Sequence, residues 1–286
     1  MNKVEVLIEA LPYIKKFAGK TFVIKYGGSI MENEKSKLAF IEDVALLKLV
    51  GINVVIVHGG GKKITEMLTT MNIPVNFKNG LRVTDHATVE IVEMVLSGKI
   101  NKEITGELCK HGLSAIGISG RDGSLLKAEK VYAYDGDEKI DIGFVGQITN
   151  VNKDLINNLI DDGYVPVVSP VAEDDAGNVY NVNADYVAES ISSAINAEKL
   201  ILLSDIKGLY KDVKDEATFI SSIKVGEVRE LIRQGAIDGG MIPKMDCCIK
   251  AIEEGTKDVH LIDGRVTHSL LIEIFTNAGN GTMIKR

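Results

Sequence analysis

Several residue types are scarce in this sequence of 286 residues, which has no tryptophan, three cysteines and five prolines. Cys109 and the adjacent Cys247 and Cys248 form neither a disulfide framework nor a pattern with zinc-ligand spacing, which suits a reducing compartment. No apolar run approaches the roughly 18 residues of a membrane span, and no secretory leader pattern opens the chain. We therefore expect a cytoplasmic protein that does not enter a membrane.

Basic residues are outnumbered, since 33 lysines and arginines against 40 acidic residues give a formal net charge of −7. They are also spread along the chain and form no stripe, whereas a nucleic-acid-binding protein concentrates them on one face. We therefore expect no nucleic-acid partner. An anionic ligand would have to be held in a pocket that is locally positive.

Continuously apolar strands alternate with helical patterns along the chain. Residues 21–26 and 54–57 predict strands, and helices are predicted over about 36–50, 62–71 and 86–110. Strands that are apolar throughout are typical of a parallel sheet that is covered on both faces. We therefore predict an α/β fold, an α/β/α sandwich around a central, mainly parallel sheet.

The same patterns suggest a division of the chain into three parts. Residues 1–20 predict a helix that is kinked at Pro12. An N-terminal lobe is expected over 21–175 and a C-terminal lobe over 176–286. Within the first lobe, Asp-Gly and Ile-Gly turns around 124–148 predict short strands that form a hairpin flap or a sheet edge.

Glycines cluster at three predicted strand-to-helix junctions, at 27–28, 59–61 and 239–240. Such glycines let the backbone approach a ligand, and the helix that follows offers free N–H groups to an anion. One such turn is usually only tight packing, but three together favour phosphate or carboxylate binding. The motifs of Walker loops, dinucleotide-binding folds and lipases are each broken by an isoleucine, at Ile14, Ile64 and Ile116 respectively.

Charged and amide side chains accompany these junctions. Lys25 ends the first strand just before two glycines, which directs it to the crevice where α/β proteins bind ligands. Lys244 lies near a helix N-terminus, where a cation costs stability unless an anion is bound. The segment 181–185 holds more amide and carboxylate groups than a helix cap needs. Arg82 stands between apolar residues, where a bidentate grip on a carboxylate and a purely structural role are equally compatible with the sequence.

Six motifs together resemble the amino-acid kinase family, in order and over essentially the whole chain. They are Lys-Tyr-Gly-Gly-Ser at 25–29, His-Gly-Gly-Gly at 58–61, Asn-Gly-Leu-Arg-Val-Thr at 79–84, Asn-Val-Asn-Ala-Asp at 181–185, Leu-Leu-Ser-Asp-Ile-Lys-Gly-Leu-Tyr at 202–210 and Gly-Gly-Met-Ile-Pro-Lys at 239–244. The resemblance implies transfer of the γ-phosphoryl group of ATP to the side-chain carboxylate of N-acetyl-L-glutamate, in arginine biosynthesis. Leu-Arg-Val-Thr resembles members that use this acceptor rather than aspartate, carbamate or UMP.

The resemblance also implies roles for individual residues. Lys25 and Lys244 would contact the transferring phosphoryl group, and Asp185 would hold the two lysines in place. The acyl-amino-acid site is implied at Gly60, Gly61, Arg82 and Asn181. The ATP site is implied at Gly27, Gly28, Asp205, Gly208, Tyr210 and Met241. Mg²⁺ would be carried mainly by the ATP phosphates, and no protein ligand is implied for it.

A regulatory layer is implied by the N-terminal helix, although packing of this helix on its own domain explains its apolar face equally well. Arginine-inhibited members of the family carry such an extension, which links dimers into a hexamer, a trimer of dimers. His260, Glu273 and Gly279 resemble the arginine site of those members. Two alternatives stay open: a kinase for an aminoadipate derivative, one methylene longer, and a catalytically silent anion-binding regulator.

Overall fold

The computed structural model describes residues 3–31, 33–212 and 214–286, which fall into two compact units. The first unit is Met1–Val55 with Asn196–Arg286, and the second is Ile56–Ile195. This division differs from the boundaries predicted near residues 20 and 175. The first unit is discontinuous because a strand from each of its two segments pairs with the other, as described below. The assignment of functions to lobes stays a prediction.

The first unit begins with a helix that packs against the C-terminal segment of the same unit. Its elements are α1 (Lys3–Phe17), β1 (Thr21–Tyr26), α2 (Gly28–Met31), α3 (Glu34–Leu49) and the start of β2 (Asn53–His58). Helix α1 continues through Pro12. Asn33 caps α3 by accepting a hydrogen bond from the amide of Ser36 at 3.1 Å, which satisfies one of the unpaired N–H groups of the first turn.

The second unit carries the long helical segment and the hairpin that the sequence predicts. Its elements are α4 (Gly61–Thr70), β3 (Phe77–Lys78), β4 (Leu81–Arg82), α5 (His86–Glu93), a π-helical segment (Met94–Ile100), α6 (Asn101–Lys110), β5 (Ala115–Ser119), a 3₁₀ turn (Asp122–Ser124), β6 (Leu126–Asp135), β7 (Glu138–Val151), α7 (Lys153–Asp161), β8 (Val165–Ser169), β9 (Val171–Glu173), β10 (Val179–Asn181) and α8 (Ala184–Ala194). The helix predicted over 86–110 thus contains a π-helical centre, a feature that is frequent at functional sites.

Two strand layers organise the second unit. Strand β8 pairs in parallel with β2 and with β5, and all five residues of β8 are buried. Strands β6, β7, β9 and β10 form a small closed barrel, with β6 and β7 as its hairpin. The turn predicted at Ile142–Gly143 is wrong, because both residues lie inside β7. They fall at an irregularity in the pairing with β6, where the register shifts between Lys130 and Tyr132.

The remaining segment completes the first unit. Its elements are β11 (Lys199–Ser204), β12 (Leu209–Tyr210), a 3₁₀ turn (Glu216–Thr218), β13 (Phe219–Ile220), β14 (Ser222–Lys224), α9 (Val225–Arg233), α10 (Met241–Glu253), β15 (Asp258–Asp263), α11 (Ser269–Phe275) and β16 (Thr282–Lys285). The strand order is β14–β16–β15–β11–β1, with only the β15–β16 pair antiparallel. The predicted α/β fold with a large, mostly parallel central sheet is confirmed.

Candidate active site

The glycine loop after β2 is shaped by the helix that packs against it. A Cβ atom on Gly60 would lie 2.4 Å from Cδ1 of Ile100 and 2.6 Å from Cδ2 of Leu96, both on the π-helical segment. A side chain at this position would force the ends of the Ile100 and Leu96 side chains to move, because both contacts are below 3 Å. Gly61, the first residue of the ten-residue helix α4, has open space around it. The loop therefore presents backbone, with the helix N-terminus directed at whatever binds there.

Arg82 at the end of β4 is held against this loop. Its Nη2 donates hydrogen bonds to the carbonyl oxygen of Gly61 and to Oγ1 of Thr65, both at 2.9 Å. Its guanidinium carbon lies 4.8 Å above the centre of the Phe77 ring, a cation–π contact. Only 7% of the residue is exposed. Arg82 is thus fixed in place before any ligand arrives.

The other terminal nitrogen of Arg82 is the unusual feature of the site. Among the described residues, the buried Nη1 has no hydrogen-bond partner. Burial lowers the pKa of this guanidinium below its ordinary value, because the charge has lost water. A buried N–H donor without a partner costs about 1–3 kcal/mol. A carboxylate bound beside Nη1 would supply the missing acceptor and the missing negative charge.

Asn181 joins this cluster through a residue that the sequence analysis did not assign to the site. The fully buried Thr84 donates from Oγ1 to the carbonyl oxygen of Arg82 at 2.8 Å, and Nδ2 of Asn181 reaches the same Oγ1 at 3.5 Å. The structure therefore links all four residues predicted for the acyl-amino-acid site. Thr84 lies within the Leu-Arg-Val-Thr motif, and this position was the signal that could have identified it.

Asn183 and Asp185 lie at the start of α8 and differ in their roles, because only Asn183 caps the helix. The side chain of Asn183 accepts a hydrogen bond from the amide of Asp185 at 2.8 Å and so caps α8. Capping therefore accounts for Asn183 and does not require the carboxylate of Asp185, which is half-buried in the first turn. The predicted role of Asp185 in holding two lysines stays a prediction.

In the first unit, Lys25 and its glycines lie at the carboxyl edge of the sheet. Lys25 is paired with Leu202 of the parallel strand β11. A Cβ atom on Gly27 would lie 2.7 Å from the carbonyl oxygen of Leu203 and 3.6 Å from Nζ of Lys25, whereas Gly28 has open space. Asp205 follows β11 directly and is exposed. Lys25, Gly27 and Asp205 therefore share the edge where parallel sheets bind ligands.

The other residues predicted for ATP have more varied surroundings. A Cβ atom on Gly208, whose φ is +147°, would lie 2.4 Å from Oγ1 of Thr282. The ring of Tyr210 meets that of Phe219 edge-on, with centroids 5.3 Å apart. Close packing thus explains Gly208 without a ligand.

Met241 and Lys244 lie in the first turn of α10, as predicted, and both are half-buried. Their proximity to Lys25 stays a prediction.

His260 and Glu273 are joined in a buried chain of hydrogen bonds that also includes Lys199. Nζ of Lys199 lies 2.7 Å from Nε2 of His260, whose Nδ1 lies 2.6 Å from Oε1 of Glu273. Burial lowers the pKa of both Lys199 and His260. Burial alone would raise the pKa of Glu273, but hydrogen bonds from His260 and from two backbone amides lower it overall. Lys199 was not predicted for this site, because it stands at the start of a largely apolar strand.

This chain of hydrogen bonds lies beside a cavity of about 380 Å³, which Gly279 also lines. Helix α1 reaches the same cavity: the hydroxyl of Tyr13 donates to Oδ1 of Asn277 at 2.6 Å. Oε1 of Glu9 accepts from the amide of the same Asn277 at 3.2 Å. The three residues predicted for arginine thus share one cavity, and α1 packs at least partly on its own unit.

Two classes of feature are absent from residues 3–31, 33–212 and 214–286. No group of three or more histidine, cysteine, aspartate or glutamate side chains is arranged to hold a metal ion. No helix in these ranges has the length and apolar character needed to cross a membrane.

Comparison with known proteins identifies the family. The sequence model of the amino acid kinase family matches residues 20–263. An acetylglutamate kinase from Carboxydothermus hydrogenoformans is 54% identical over 288 positions, which cover 99% of this chain and 98% of that protein. An acetylglutamate kinase from Caldanaerobacter subterraneus subsp. tengcongensis is 55% identical over 282 positions, which cover 99% and 93%.

Among solved structures, an N-acetylglutamate synthase from Neisseria gonorrhoeae, complexed with coenzyme A and N-acetyl-glutamate, has a TM-score of 0.87 and 24% sequence identity. The match covers 100% of this chain and 64% of the synthase chain, and it shows a shared fold. The family match extends over most of the sequence and covers the second unit and most of the first. This chain belongs to the amino acid kinase family.

Proposed function

We propose that the chain is an ATP-dependent kinase that phosphorylates the γ-carboxylate of N-acetyl-L-glutamate, a step of arginine biosynthesis. The observation that carries this proposal is the partnerless, buried Nη1 of Arg82, fixed beside the N-terminus of α4. The α-carboxylate of the acceptor is the anion that we assign to it. The names of the two relatives that are 54% and 55% identical over nearly full length support the same acceptor.

The chemistry needs positioning and charge neutralisation rather than a base. A carboxylate is already ionised at neutral pH, because its ordinary pKa is about 4. One γ-carboxylate oxygen attacks the γ-phosphorus of ATP, the bond from that phosphorus to the β–γ bridging oxygen breaks, and ADP leaves with the electron pair. The product is an acyl phosphate. The γ-carboxylate, the γ-phosphoryl group and the β-phosphate are all anionic and come together in this step. Cations and N–H donors should therefore dominate catalysis.

We assign these donors as follows. Lys25 and Lys244 neutralise the transferring phosphoryl group, and Asp185 orients them. The amides of Gly60 and Gly61 stabilise charge on the acceptor side, and Asn181 helps to orient the acyl amino acid. ATP lies along Gly27, Gly28 and Asp205 and extends towards Gly208, Tyr210 and Met241. Mg²⁺, carried mainly by the phosphates, supplies further neutralisation of their charge.

Trapping the acyl phosphate with hydroxylamine tests the proposal. The protein is incubated with ATP, Mg²⁺, hydroxylamine and one carboxylate at a time: N-acetylglutamate, N-acetylaminoadipate, N-acetylaspartate, glutamate or aspartate. We expect hydroxamate and ADP in equal amounts with N-acetylglutamate. A preference for N-acetylaminoadipate would make that acid the acceptor. The comparison is needed because one methylene changes the binding free energy in a pocket by only about 1–3 kcal/mol. Hydroxamate from none of the five would favour the silent anion-binding protein.

We also propose that arginine inhibits the enzyme from the cavity beside His260, Glu273 and Gly279. The carboxylate of Glu273, whose side chain is 5% exposed, suits a guanidinium group, and the ammonium group of Lys199 suits a carboxylate. Helix α1 would link dimers into a cytoplasmic hexamer, since Ile8 and Leu11 on it are 59% and 54% exposed. Light scattering with and without millimolar arginine tests this. A monodisperse dimer whose activity ignores arginine would overturn it.

A further inference from the structure

A buried pair of polar side chains lies directly behind the glycine loop of the second unit. His58 is the last residue of β2, Asn101 is the first residue of α6, and neither exposes any surface. Nδ2 of Asn101 lies 3.3 Å from Nε2 of His58. Buried polar groups of this kind are costly unless they are hydrogen-bonded. None of the roles proposed above uses either side chain.

The contacts of Asn101 determine which nitrogen of His58 carries the proton. Nδ2 of Asn101 donates to the carbonyl oxygens of Val167 at 2.8 Å and Ile118 at 3.3 Å, so this atom is the amide nitrogen. Its Oδ1 accepts from Nζ of Lys102 at 3.1 Å, which agrees with that orientation. The two hydrogens of Nδ2 serve three acceptors, so one of them is shared between the carbonyl oxygen of Ile118 and Nε2 of His58, each 3.3 Å away, and Nε2 accepts. The proton of the neutral imidazole therefore lies on Nδ1.

That proton is directed at the glycine loop. Nδ1 of His58 donates to the carbonyl oxygen of Gly59 at 2.9 Å. The peptide bond from Gly59 to Gly60 is trans, so its carbonyl and its N–H point in opposite directions. Holding the carbonyl towards His58 therefore turns the amide of Gly60 away from the protein interior. Leu96 and Ile100 pack beside the Cα atom of Gly60, as described above.

We infer that His58 and Asn101 are positioning residues that aim the amide of Gly60 at the anionic reacting groups. Asn101 fixes the tautomer of His58, and His58 fixes the peptide plane. The inference rests on the proposed function for the identity of the reacting groups, whereas the orientation of the peptide does not depend on it. Losing one well-aimed N–H donor should slow turnover about 10²-fold, by analogy with the loss of an oxyanion donor.

The test compares two substitutions of nearly equal shape, His58→Asn and His58→Leu. The amide nitrogen of asparagine occupies roughly the place of Nδ1 and can still donate to Gly59, whereas leucine cannot. Both lose the contact with Asn101, so a purely structural role predicts equal effects. If His58→Leu does not fold, His58→Gln takes its place, because its amide reaches the position of Nε2 and leaves Gly59 without a donor.

Two readouts are recorded for each variant. The first is kcat and KM for hydroxamate formation. The second is the ¹H–¹⁵N shift of Gly60 in protein labelled with ¹³C′,¹⁵N-glycine, which selects the amides that follow another glycine, those of Gly28, Gly60, Gly61 and Gly240. Gly28 and Gly240 act as internal controls. We expect His58→Leu to shift Gly60 and to lower kcat about 10²-fold, with KM for ATP within about threefold.

His58→Asn should stay within about tenfold of the wild-type kcat and keep the Gly60 shift. Equal kcat values and equal Gly60 shifts in the two variants would overturn the inference. If the wild type forms no hydroxamate from any carboxylate, the proposed function fails and the spectra decide alone. In that case, a Gly60 shift that changes in His58→Leu but not in His58→Asn supports the positioning role. Equal Gly60 shifts in the two variants overturn it.

Discussion

Arg82 donates a hydrogen bond to the carbonyl oxygen of Gly61 across 2.9 Å, although 21 positions separate the two residues in the sequence. The bond joins the end of a two-residue strand to the first turn of α4. A guanidinium and a helix N-terminus thus lie side by side in a chain whose formal net charge is −7. The local field at this site is therefore opposite in sign to the charge of the whole molecule.

Arg82→Gln should separate acceptor binding from ATP binding. Losing the charge-assisted hydrogen bond from Nη1 costs about 1.5–3 kcal/mol, so we expect KM for N-acetylglutamate to rise about tenfold to 10²-fold, with KM for ATP within about threefold. Lys78→Gln is the matched control, because Lys78 is a half-buried cation that is already paired with Asp135 at 2.7 Å. Steady-state kinetics measure both. Equal increases in the two KM values of Arg82→Gln would contradict the assignment.

Gly143→Ala should disturb the strand that supports Thr84. Gly143 has a φ of +79°, and a Cβ atom there would lie 2.0 Å from the carbonyl oxygen of Thr84. We expect the free energy of unfolding to fall by about 2–4 kcal/mol, from the clash and the left-handed backbone together. Gly136→Ala has a similar φ of +60° but open space, and should lose only about 1–2 kcal/mol. Urea unfolding that gave the same loss for both would refute the close contact.

Asp43 should make stability depend on pH in a defined window. Burial raises the pKa of its carboxyl from the ordinary 3.8 to about 6, against the opposing effect of the 2.6 Å hydrogen bond with His268. Between these values the folded chain holds a proton that the unfolded chain has released. Stability relative to Asp43→Asn should therefore fall by about 2–3 kcal/mol as pH rises from about 4 to about 6, and then level off.

Urea unfolding of the wild type and Asp43→Asn at several pH values between 4 and 7 measures this difference. Working with the difference removes the contribution of groups that do not interact with Asp43, including His58, whose pKa burial lowers to about 4 and which therefore destabilises the fold on acidification. If the difference in the free energy of unfolding is independent of pH, or rises with pH, the pKa of Asp43 is not raised in the folded protein.

Tyr13→Phe should weaken arginine inhibition without affecting the uninhibited rate. The substitution removes the hydroxyl that donates to Asn277 at 2.6 Å, and with it one link between α1 and the cavity. We expect the arginine concentration for half-inhibition to rise about threefold to tenfold, as for a lost hydrogen bond of about 1 kcal/mol. Tyr134→Phe, at an exposed tyrosine of the β6–β7 hairpin, is the control. Unchanged inhibition in Tyr13→Phe would separate α1 from the regulatory site.

Periodicity predicted most helices and strands of the central sheet, because buried parallel strands are apolar throughout and amphipathic helices repeat every 3.6 residues. It did not predict the π-helical segment over Met94–Ile100, since the same residues are equally compatible with an α-helix. It also did not predict β9, β10 or β12, which have only two or three residues each. Strands this short are defined by their partners and leave little pattern of their own.

The candidate site was predictable where a motif keeps its residues together in sequence. Gly60, Gly61 and Arg82 belong to two such motifs, and the structure joins them. Thr84 belongs to one of these motifs, but its contact with Asn181, 97 positions away, became visible only in the fold. His58 was noticed only as the start of a glycine motif, since no sequence pattern shows that its imidazole faces Asn101.

Oxygen labelling tests the central claim most directly. N-Acetylglutamate carrying ¹⁸O in both oxygens of its γ-carboxylate is incubated with the protein, ATP and hydroxylamine, and the released phosphate is analysed by mass spectrometry. Hydroxylamine attacks the acyl carbon, so the bridging oxygen leaves with the phosphate. The account predicts phosphate with one ¹⁸O atom for every hydroxamate formed. Phosphate without ¹⁸O, released while ATP is consumed, would mean that the γ-carboxylate is not the acceptor.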